Sequence, residues 1–207
     1  QTVEYHSGGY AIGGNNDSAF IHSGHDGYNS SPYYKKYSGI WNGTAWSASV
    51  TSDHGGQGRQ GDGLPTDFLA TAGYDGSSNT FKTESFDGTS WTDEQDFPND
   101  AAGGNTAYGY GSFCASTKEM ALTQANSTSL TNCAFKYNGT SWVAAGTMAN
   151  TARYGGFGGD SGNAILGGGA DNGWDVDHTS LYDGDTFTAS ATLETGQASG
   201  GMGANTA

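Results

Sequence analysis

The sequence predicts an all-β fold built from four repeats, and three observations support this prediction. Glycine accounts for 36 of the 207 residues, far above its usual share of about 7%, and residues that favour helices are scarce. The chain also carries nine Phe, five Trp and twelve Tyr residues, whose large apolar side chains are unusual in a disordered acidic chain. The third observation is a short aromatic motif that recurs four times.

Each copy of this motif, which we call a repeat anchor, has an aromatic residue, then Asn or Asp, then Gly, and a second aromatic residue that closes the motif. Asn-Gly and Asp-Gly supply the positive φ that tight two-residue turns require. We therefore expect each anchor to form a hairpin with its aromatic residues on paired strands, and the indoles of Trp91 and Trp142 to be buried. The first aromatic residues are 45, 51 and 45 positions apart. The aromatic pairs are Trp41 with Trp46, Phe86 with Trp91, Tyr137 with Trp142, and Tyr182 with Phe187.

Upstream of each anchor, a glycine-rich segment precedes a short apolar segment. Glycine in the first segment is expected because innermost strands crowd around a central axis, where close backbone approach favours residues without a side chain. Each repeat thus offers four short antiparallel strands, and one such set in every 45 to 50 residues is the period of a propeller blade. The glycine-rich segments are 7–14, 55–58, 107–111 and 154–159, and the apolar segments are 18–24, 67–73, 119–123 and 163–169.

The predicted architecture is therefore one propeller-like domain over residues 1–207. Residues 196–207 match the start of a further repeat, and we expect them to form an extra strand that pairs with the N-terminal region of the same chain or of a neighbouring copy. The predicted repeats cover approximately residues 5–50, 51–97, 98–149 and 150–195.

The glycine doublet Gly167-Gly168 after an apolar strand, together with the downstream anchor, resembles the kelch-type repeat. The doublet is degraded in the other three repeats, and the arginine that usually precedes the first strand appears only at Arg153. The pattern is most similar to the divergent kelch-like repeats of phage virion and microbial surface proteins, and the similarity covers nearly the whole chain. This resemblance implies a β-propeller that acts through interactions and not through a reaction.

Charge and hydropathy each exclude one class of function. The chain has 7 Lys and Arg against 21 Asp and Glu, a formal net charge of −14, so it lacks the cations that a nucleic-acid binder uses on phosphates. No apolar run is long enough to insert in a membrane. We therefore expect an extracellular or virion-surface location, where an acidic surface stays hydrated and resists nonspecific association.

The predicted function is a non-catalytic structural or adhesion role, with other copies of the chain or other virion and surface proteins as partners. The alternative is a carbohydrate-binding propeller lectin whose partners are cell-surface glycans. An exposed aromatic ring with carboxylate neighbours can hold a sugar by stacking and hydrogen bonds, and Trp174 beside Asp171 and Asp175 is the best candidate. Trp174 has no counterpart in the other repeats, which favours the structural role over a multivalent lectin.

No cofactor is expected, although calcium is an open alternative at Asp171, Asp175 and Asp177. Calcium prefers several oxygen ligands from short loops, but turn chemistry alone also explains Asp at such positions. The pair His22 and His25, with Asp26, has a spacing typical of metal ligands, yet a zinc site needs three or four converging ligands.

No catalytic residues are predicted, because no nucleophile elbow, zinc-protease or phosphate-loop motif is present. A kelch-type oxidase is the enzyme to weigh against this, since it uses paired Tyr and His ligands to copper and a Tyr cross-linked to Cys, but no segment matches its motifs. Cys114 and Cys133 leave a disulfide open, although the repeat alignment places them on the first and third strands of one repeat, which are not neighbours.

Overall fold

A computed structural model describes residues 10–25, 34–98, 113–115, 117–124, 131–152, 155–171 and 174–196 of the chain. Regular structure in these ranges consists of β-strands, and none of the described residues forms a helix that is long and apolar enough to cross a membrane. The chain divides into two compact units: Gln1–Phe97 with Ala107–Gly109, and Pro98–Thr106 with Tyr110–Ala207.

The first unit contains two four-stranded antiparallel sheets, and in each sheet the strands follow one another in chain order. Consecutive hairpins therefore build each sheet from one local stretch of sequence. The strands of the first sheet are β1 (Ala11–Gly14), β2 (Ala19–His22), β3 (Ser38–Trp41) and β4 (Trp46–Ala48). Those of the second sheet are β5 (Gln60–Leu64), β6 (Asp67–Thr71), β7 (Thr83–Phe86) and β8 (Trp91–Asp93).

The second unit also contains two four-stranded antiparallel sheets, together with a two-stranded hairpin. The third sheet consists of β9 (Phe113–Ala115), β10 (Ala121–Gln124), β11 (Thr131–Tyr137) and β12 (Trp142–Ala152). In the fourth, β13 (Gly156–Gly159) pairs with β14 (Ala164–Gly167), β14 with β17 (Thr179–Tyr182), and β17 with β18 (Phe187–Ala189). The hairpin of β15 (Ala170–Asp171) and β16 (Trp174–Asp175) is inserted between β14 and β17.

The prediction of an all-β chain with four sets of four antiparallel strands is confirmed. The predicted first strand of the second repeat is wrong, because the strand is β5 and not the segment 55–58. Arg59 directly precedes β5, so Arg153 is not the only arginine before a first strand. Arg153 itself, residues 107–111 and residues 197–207 lie outside the described residues, and the single domain and the extra terminal strand stay predictions.

The repeat anchors form four-residue loops, so the predicted two-residue turns are wrong. Trp41 pairs with Trp46, and the Asn42 side-chain oxygen accepts hydrogen bonds from the backbone N–H groups of Thr44 and Ala45 at 3.0 and 2.9 Å. An Asx turn of this kind stabilises the loop from within, while Gly43 adopts a φ of +86°. The same pair of bonds is made by Asp87, Asn138 and Asp183 in the other anchors, and by Asn15 and Asp160 between the first two strands of their sheets.

Each unit has its own apolar cluster. In the first unit, the ring of Phe20 stacks on that of Phe86 with centroids 4.8 Å apart, and Trp91 packs against this cluster at its edge. Trp142 in the second unit is only 6% exposed, as predicted, whereas Trp91 is half-buried and its indole N–H donates to the Val50 carbonyl at 3.1 Å. The buried members are Ala11, Phe20, Phe68, Ala70 and Phe86 in the first unit, and Ala134, Ala145, Met148, Phe157, Ala164, Leu166 and Tyr182 in the second.

Strands β1 and β5 lie beside each other in the first unit, and glycine allows this approach. A Cβ atom added to Gly13 would lie 2.4 Å from the backbone nitrogen of Gly63 and 2.6 Å from its carbonyl oxygen. Distances this short are not compatible with any side chain. The close backbone approach predicted for glycine in the first strands is therefore observed at Gly13, while the central axis of a propeller stays a prediction.

Candidate functional site

A buried ion pair lies inside the first unit. Arg59, which directly precedes β5, places its guanidinium 3.0 Å from a carboxylate oxygen of Glu84 on β7, and the two side chains are 0% and 1% exposed. The guanidinium also donates to the carbonyl oxygens of Ala70 and Lys82 at 3.2 and 3.4 Å. Burial lowers the pKa of Arg59, and the neighbouring Glu84 opposes this shift. A buried pair of this kind is favourable only when its hydrogen-bonding groups are matched, and here the Nε of Arg59 is buried without a hydrogen-bond partner among the described residues.

Glu84 also holds the segment that connects the first sheet to the second. Its other carboxylate oxygen accepts hydrogen bonds from the backbone N–H groups of Asp53 and His54 at 3.0 and 3.2 Å. Burial raises the pKa of Glu84, while Arg59 and these bonds act in the opposite direction. The carboxylate thus links β7, the arginine before β5 and the connecting segment at one point.

His54, Glu84 and Asp93 are the one cluster among the described residues with three ligand atoms close enough for a metal ion, within 4.8 Å of one another. The His54 ring nitrogen Nε2 lies 3.4 Å from a carboxylate oxygen of Asp93. However, both oxygens of Glu84 are already engaged, one by the Arg59 cation and one by two N–H groups. A cation bound there would lie close to the guanidinium and would be repelled by it. The arrangement is therefore better suited to holding the fold than to holding an ion.

A polar pocket opens beside this cluster, and His54 is part of its lining. Its volume is about 290 Å³, and its lining mixes two carboxylates, an ammonium group, an imidazole ring, hydroxyl groups and one tyrosine ring. The second hairpin loop of the second sheet and the connecting segment supply most of these groups. The lining residues are Tyr34, Lys36, Asp53, His54, Gly55, Asp75, Ser77 and Thr80.

The predicted sugar and calcium residues lie on the inserted hairpin of the second unit. Asp171 on β15 pairs with Trp174 on β16, but the side chains of these two residues lie outside the described part of the structure. Asp175 is exposed, and an Asp177 carboxylate oxygen lies 3.5 Å from Nδ1 of His178. The backbone pairing thus brings Asp171 and Trp174 together, while sugar or calcium binding here stays a prediction.

His22 and His25, whose spacing in the sequence is typical of metal ligands, contact different neighbours in the structure. His22 is buried on β2, where Nδ1 is 3.1 Å from the Ser38 hydroxyl and the ring lies 4.4 Å from that of Trp91. His25 instead packs its ring against Tyr34 at 5.1 Å. Asp26 lies outside the described residues. Both rings have packing roles, which explains their presence without a metal.

The two cysteines are on strands that are not neighbours, as the repeat alignment predicts. Cys114 on β9 pairs with Leu122 on β10, which in turn pairs with Lys136 on β11, three residues beyond Cys133. Two strand spacings amount to about 10 Å, whereas disulfides require Cα atoms within about 7 Å. This strand pairing is not compatible with a Cys114–Cys133 disulfide.

The buried network and the pocket are not among the sites predicted from the sequence. One signal for the network is Arg59, which is one of only two arginines in the chain and directly precedes β5. A second was Glu84, a charged residue inside the segment Thr83–Phe86, every residue of which is buried. The pocket could not be found in this way, since three separate stretches of chain supply its lining.

Comparisons with protein families and with curated proteins find no match to this chain.

Proposed function

We propose that the chain is a non-catalytic structural or adhesion protein of an extracellular or virion surface, built on kelch-like propeller blades. The observation that carries this proposal is the repetition of one unit, a four-stranded sheet closed by the same Asx loop. In both units the first strands of the two sheets also lie side by side, β1 with β5 and β9 with β13. Adjacent first strands are what neighbouring blades of a propeller would present.

The loops at the repeat anchors favour interaction over chemistry. In all four anchors one Asn or Asp side-chain oxygen accepts hydrogen bonds from two backbone N–H groups, which supports a role of these side chains in shaping the loops. Glu84, the one fully buried carboxylate of the metal-like cluster, is likewise held by Arg59 and by backbone donors. The anchor side chains and Glu84 therefore stabilise the loops and the interior of the fold. A surface made rigid in this way is suited to recognition by a partner protein.

The test is the assembly state of the purified full chain, measured by light scattering after size exclusion and by native mass spectrometry over a range of protein concentrations. A discrete oligomer, or saturable binding to a virion or cell surface, would support the proposal. A chain lacking residues 196–207 serves as the comparison for the extra strand. A strictly monomeric chain that binds neither surface would contradict the proposal.

Carbohydrate binding is the second candidate, and the inserted hairpin β15–β16 favours it. Single antiparallel bridges lie at the equivalent place in the first and second sheets, His25 with Tyr34 and Tyr74 with Asn79, but neither segment contains a tryptophan. A glycan array probed with the full chain and with Trp174→Ala tests it. Glycan signals that disappear in the variant would support a lectin, and equal signals would show that Trp174 does not hold the sugar.

A further inference from the structure

We propose that the pocket between the connecting segment and the loop 75–80 of the first unit binds one neutral or amino hexose residue of a glycan. This site is separate from the hairpin β15–β16, and it does not depend on the structural role proposed above. We call it the Tyr34 pocket, and its lining is the set of eight residues given above. Three features of the pocket support this proposal: its size, its fixed aromatic ring and its balance of hydrogen-bond donors and acceptors.

The size of the pocket selects a small polar ligand. Its volume of about 290 Å³ is at the lower end of the range for small-molecule sites, about 300 to 1,000 Å³. A single sugar residue is of suitable size, whereas an extended oligosaccharide would have to continue outside the pocket. The terminal residue of a glycan meets this condition.

The tyrosine ring is held in place by its neighbours. Gly76 has a φ of +101°, and a Cβ atom added there would lie 2.5 Å from two carbons of the Tyr34 ring. The ring of Tyr74 meets that of Tyr34 edge-on at 5.5 Å. The ring of His25 packs on that of Tyr34 at 5.1 Å, and Tyr34 is one of the residues that line the pocket. A ring fixed in this way loses little entropy on binding, and an aromatic ring with a polar end suits contact with the C–H groups of a sugar.

The polar groups of the pocket suit a ligand with several hydroxyl groups. Asp75 uses one carboxylate oxygen to accept N–H bonds from Ser77 and Ser78, both at 2.8 Å, and these bonds lower the pKa of Asp75 and keep it ionised. Its second oxygen accepts no hydrogen bond from the described residues. The exposed carboxylate of Asp53 adds further acceptor atoms for ligand hydroxyl groups.

Donors are present at the same opening. The ammonium group of Lys36 donates to the Asp53 carbonyl, which fixes its position, and an ammonium group has three protons to share. The hydroxyl of Thr80 accepts a hydrogen bond from the Lys82 N–H at 3.2 Å and keeps its own proton for a ligand. Two carboxylates against one ammonium group disfavour a sugar acid, because the carboxylates would repel its charge.

The experiment measures binding of single sugars to the full chain by saturation-transfer NMR and calorimetry. The panel contains glucose, galactose, mannose, N-acetylglucosamine, N-acetylgalactosamine and, as the charged comparison, N-acetylneuraminic acid. We expect at least one uncharged sugar to bind and the acid to bind at least tenfold more weakly. Competition by a soluble glycan ending in the same sugar should displace the monosaccharide.

Variants locate the site. Asp53→Asn and Ser77→Ala should each weaken sugar binding about tenfold, which is a loss of about 1.4 kcal/mol in binding free energy. Because both side chains are exposed, we expect both variants to keep the fold. Asp185→Asn, the same change at an exposed loop of the second unit, should leave binding unaltered, as should Trp174→Ala. The proposal is overturned if no sugar of the panel binds, if Trp174→Ala alone abolishes binding, or if binding requires added calcium and disappears with EDTA. Each of these results is independent of the assembly state.

Discussion

Glu84 is the residue on which the polar interior of the first unit depends. Its carboxylate faces a buried guanidinium at 3.0 Å, so Glu84→Gln would keep the shape of the side chain and remove only the charge that balances Arg59. Breaking a buried ion pair on one side typically costs about 3 to 5 kcal/mol of stability. We expect a loss of this size in the free energy of unfolding, measured by urea titration.

A double variant tests whether the loss of stability in Glu84→Gln comes from the buried charge of Arg59, which no longer has a partner of opposite charge. Arg59→Met combined with Glu84→Gln removes both charges and leaves the amide oxygen to accept the N–H groups of Asp53 and His54. Because replacing both partners of a buried pair is often nearly neutral, the double variant should be more stable than Glu84→Gln alone. A single variant as stable as the wild type would show that Arg59 does not need its partner.

Asp87 makes one anchor loop sensitive to acid. Hydrogen bonds from the N–H groups of Ser90 and Thr89 lower the pKa of Asp87 in the folded chain well below its usual value. The folded state therefore binds this proton less readily than the unfolded state does. Its contribution to stability is present above the unfolded pKa, about 3.9, and is lost as the pH falls through the lower folded pKa. We expect the urea midpoint of the wild type to fall between about pH 5 and about pH 2.

The chain supplies its own control for this effect, since Asn42 and Asn138 occupy the equivalent position in two other anchors. Asp87→Asn should keep the loop and show a shallower loss of stability in acid than the wild type. Asp87→Ala should lower stability at neutral pH as well, because its side chain cannot accept the two N–H bonds. Identical pH profiles for the wild type and Asp87→Asn would mean that the loop carboxylate is not linked to folding.

At the scale of the elements, glycine controls how closely two first strands approach. Gly13→Ala would bring a Cβ atom to 2.4 Å from the backbone of Gly63, and a backbone contact cannot be relieved by a change of rotamer. Overpacking of this kind costs about 1 to 3 kcal/mol, which thermal and urea unfolding can measure. Gly162→Ala is the comparison, because the nearest atom there is a side-chain oxygen of Asp160 at 3.2 Å. Equal stability of the two variants would contradict the role given to Gly13.

The strands were more predictable than the loops that join them. Glycine clusters, apolar runs and repeat anchors are local signals, and the anchors predict the third and fourth strands of each four-stranded sheet correctly. The loop predicted at the anchors is wrong because Asn-Gly and Asp-Gly fit two loop types. Asn42 and its equivalents choose the four-residue loop by bonding two backbone N–H groups. The first strand of the second repeat was misplaced for a similar reason, since glycine is frequent on both sides of Arg59.

At the scale of the whole molecule, the candidate sites depend on contacts that no local pattern encodes. Arg59 and Glu84 are 25 positions apart, and the Tyr34 pocket joins residues 34–36, 53–55 and 75–80. The sequence indicated the repeats but not which turns of different repeats would meet. At the hairpin β15–β16 the signal is local, because the acidic residues and Trp174 lie close together in the sequence. The function of this hairpin stays a prediction.

The division into two units leads to a prediction about folding. The apolar cluster around Phe20, Phe68 and Phe86, the ion pair of Arg59 with Glu84, and the β1–β5 contact all lie within the first unit. A fragment of residues 1–98 contains every one of these interactions, so we expect it to fold cooperatively by itself, with lower stability than the full chain because a smaller domain buries a smaller fraction of its surface.

Circular dichroism and tryptophan fluorescence during urea unfolding measure this, because Trp91 packs against the apolar cluster and reports its loss. The variant Glu84→Gln in the fragment is the control for native packing, and it should reduce the fragment's stability as it does that of the full chain. A fragment that shows no cooperative transition would contradict the independence of the first unit. It would instead favour a fold in which all four sheets must assemble together, as the closing of a propeller ring requires.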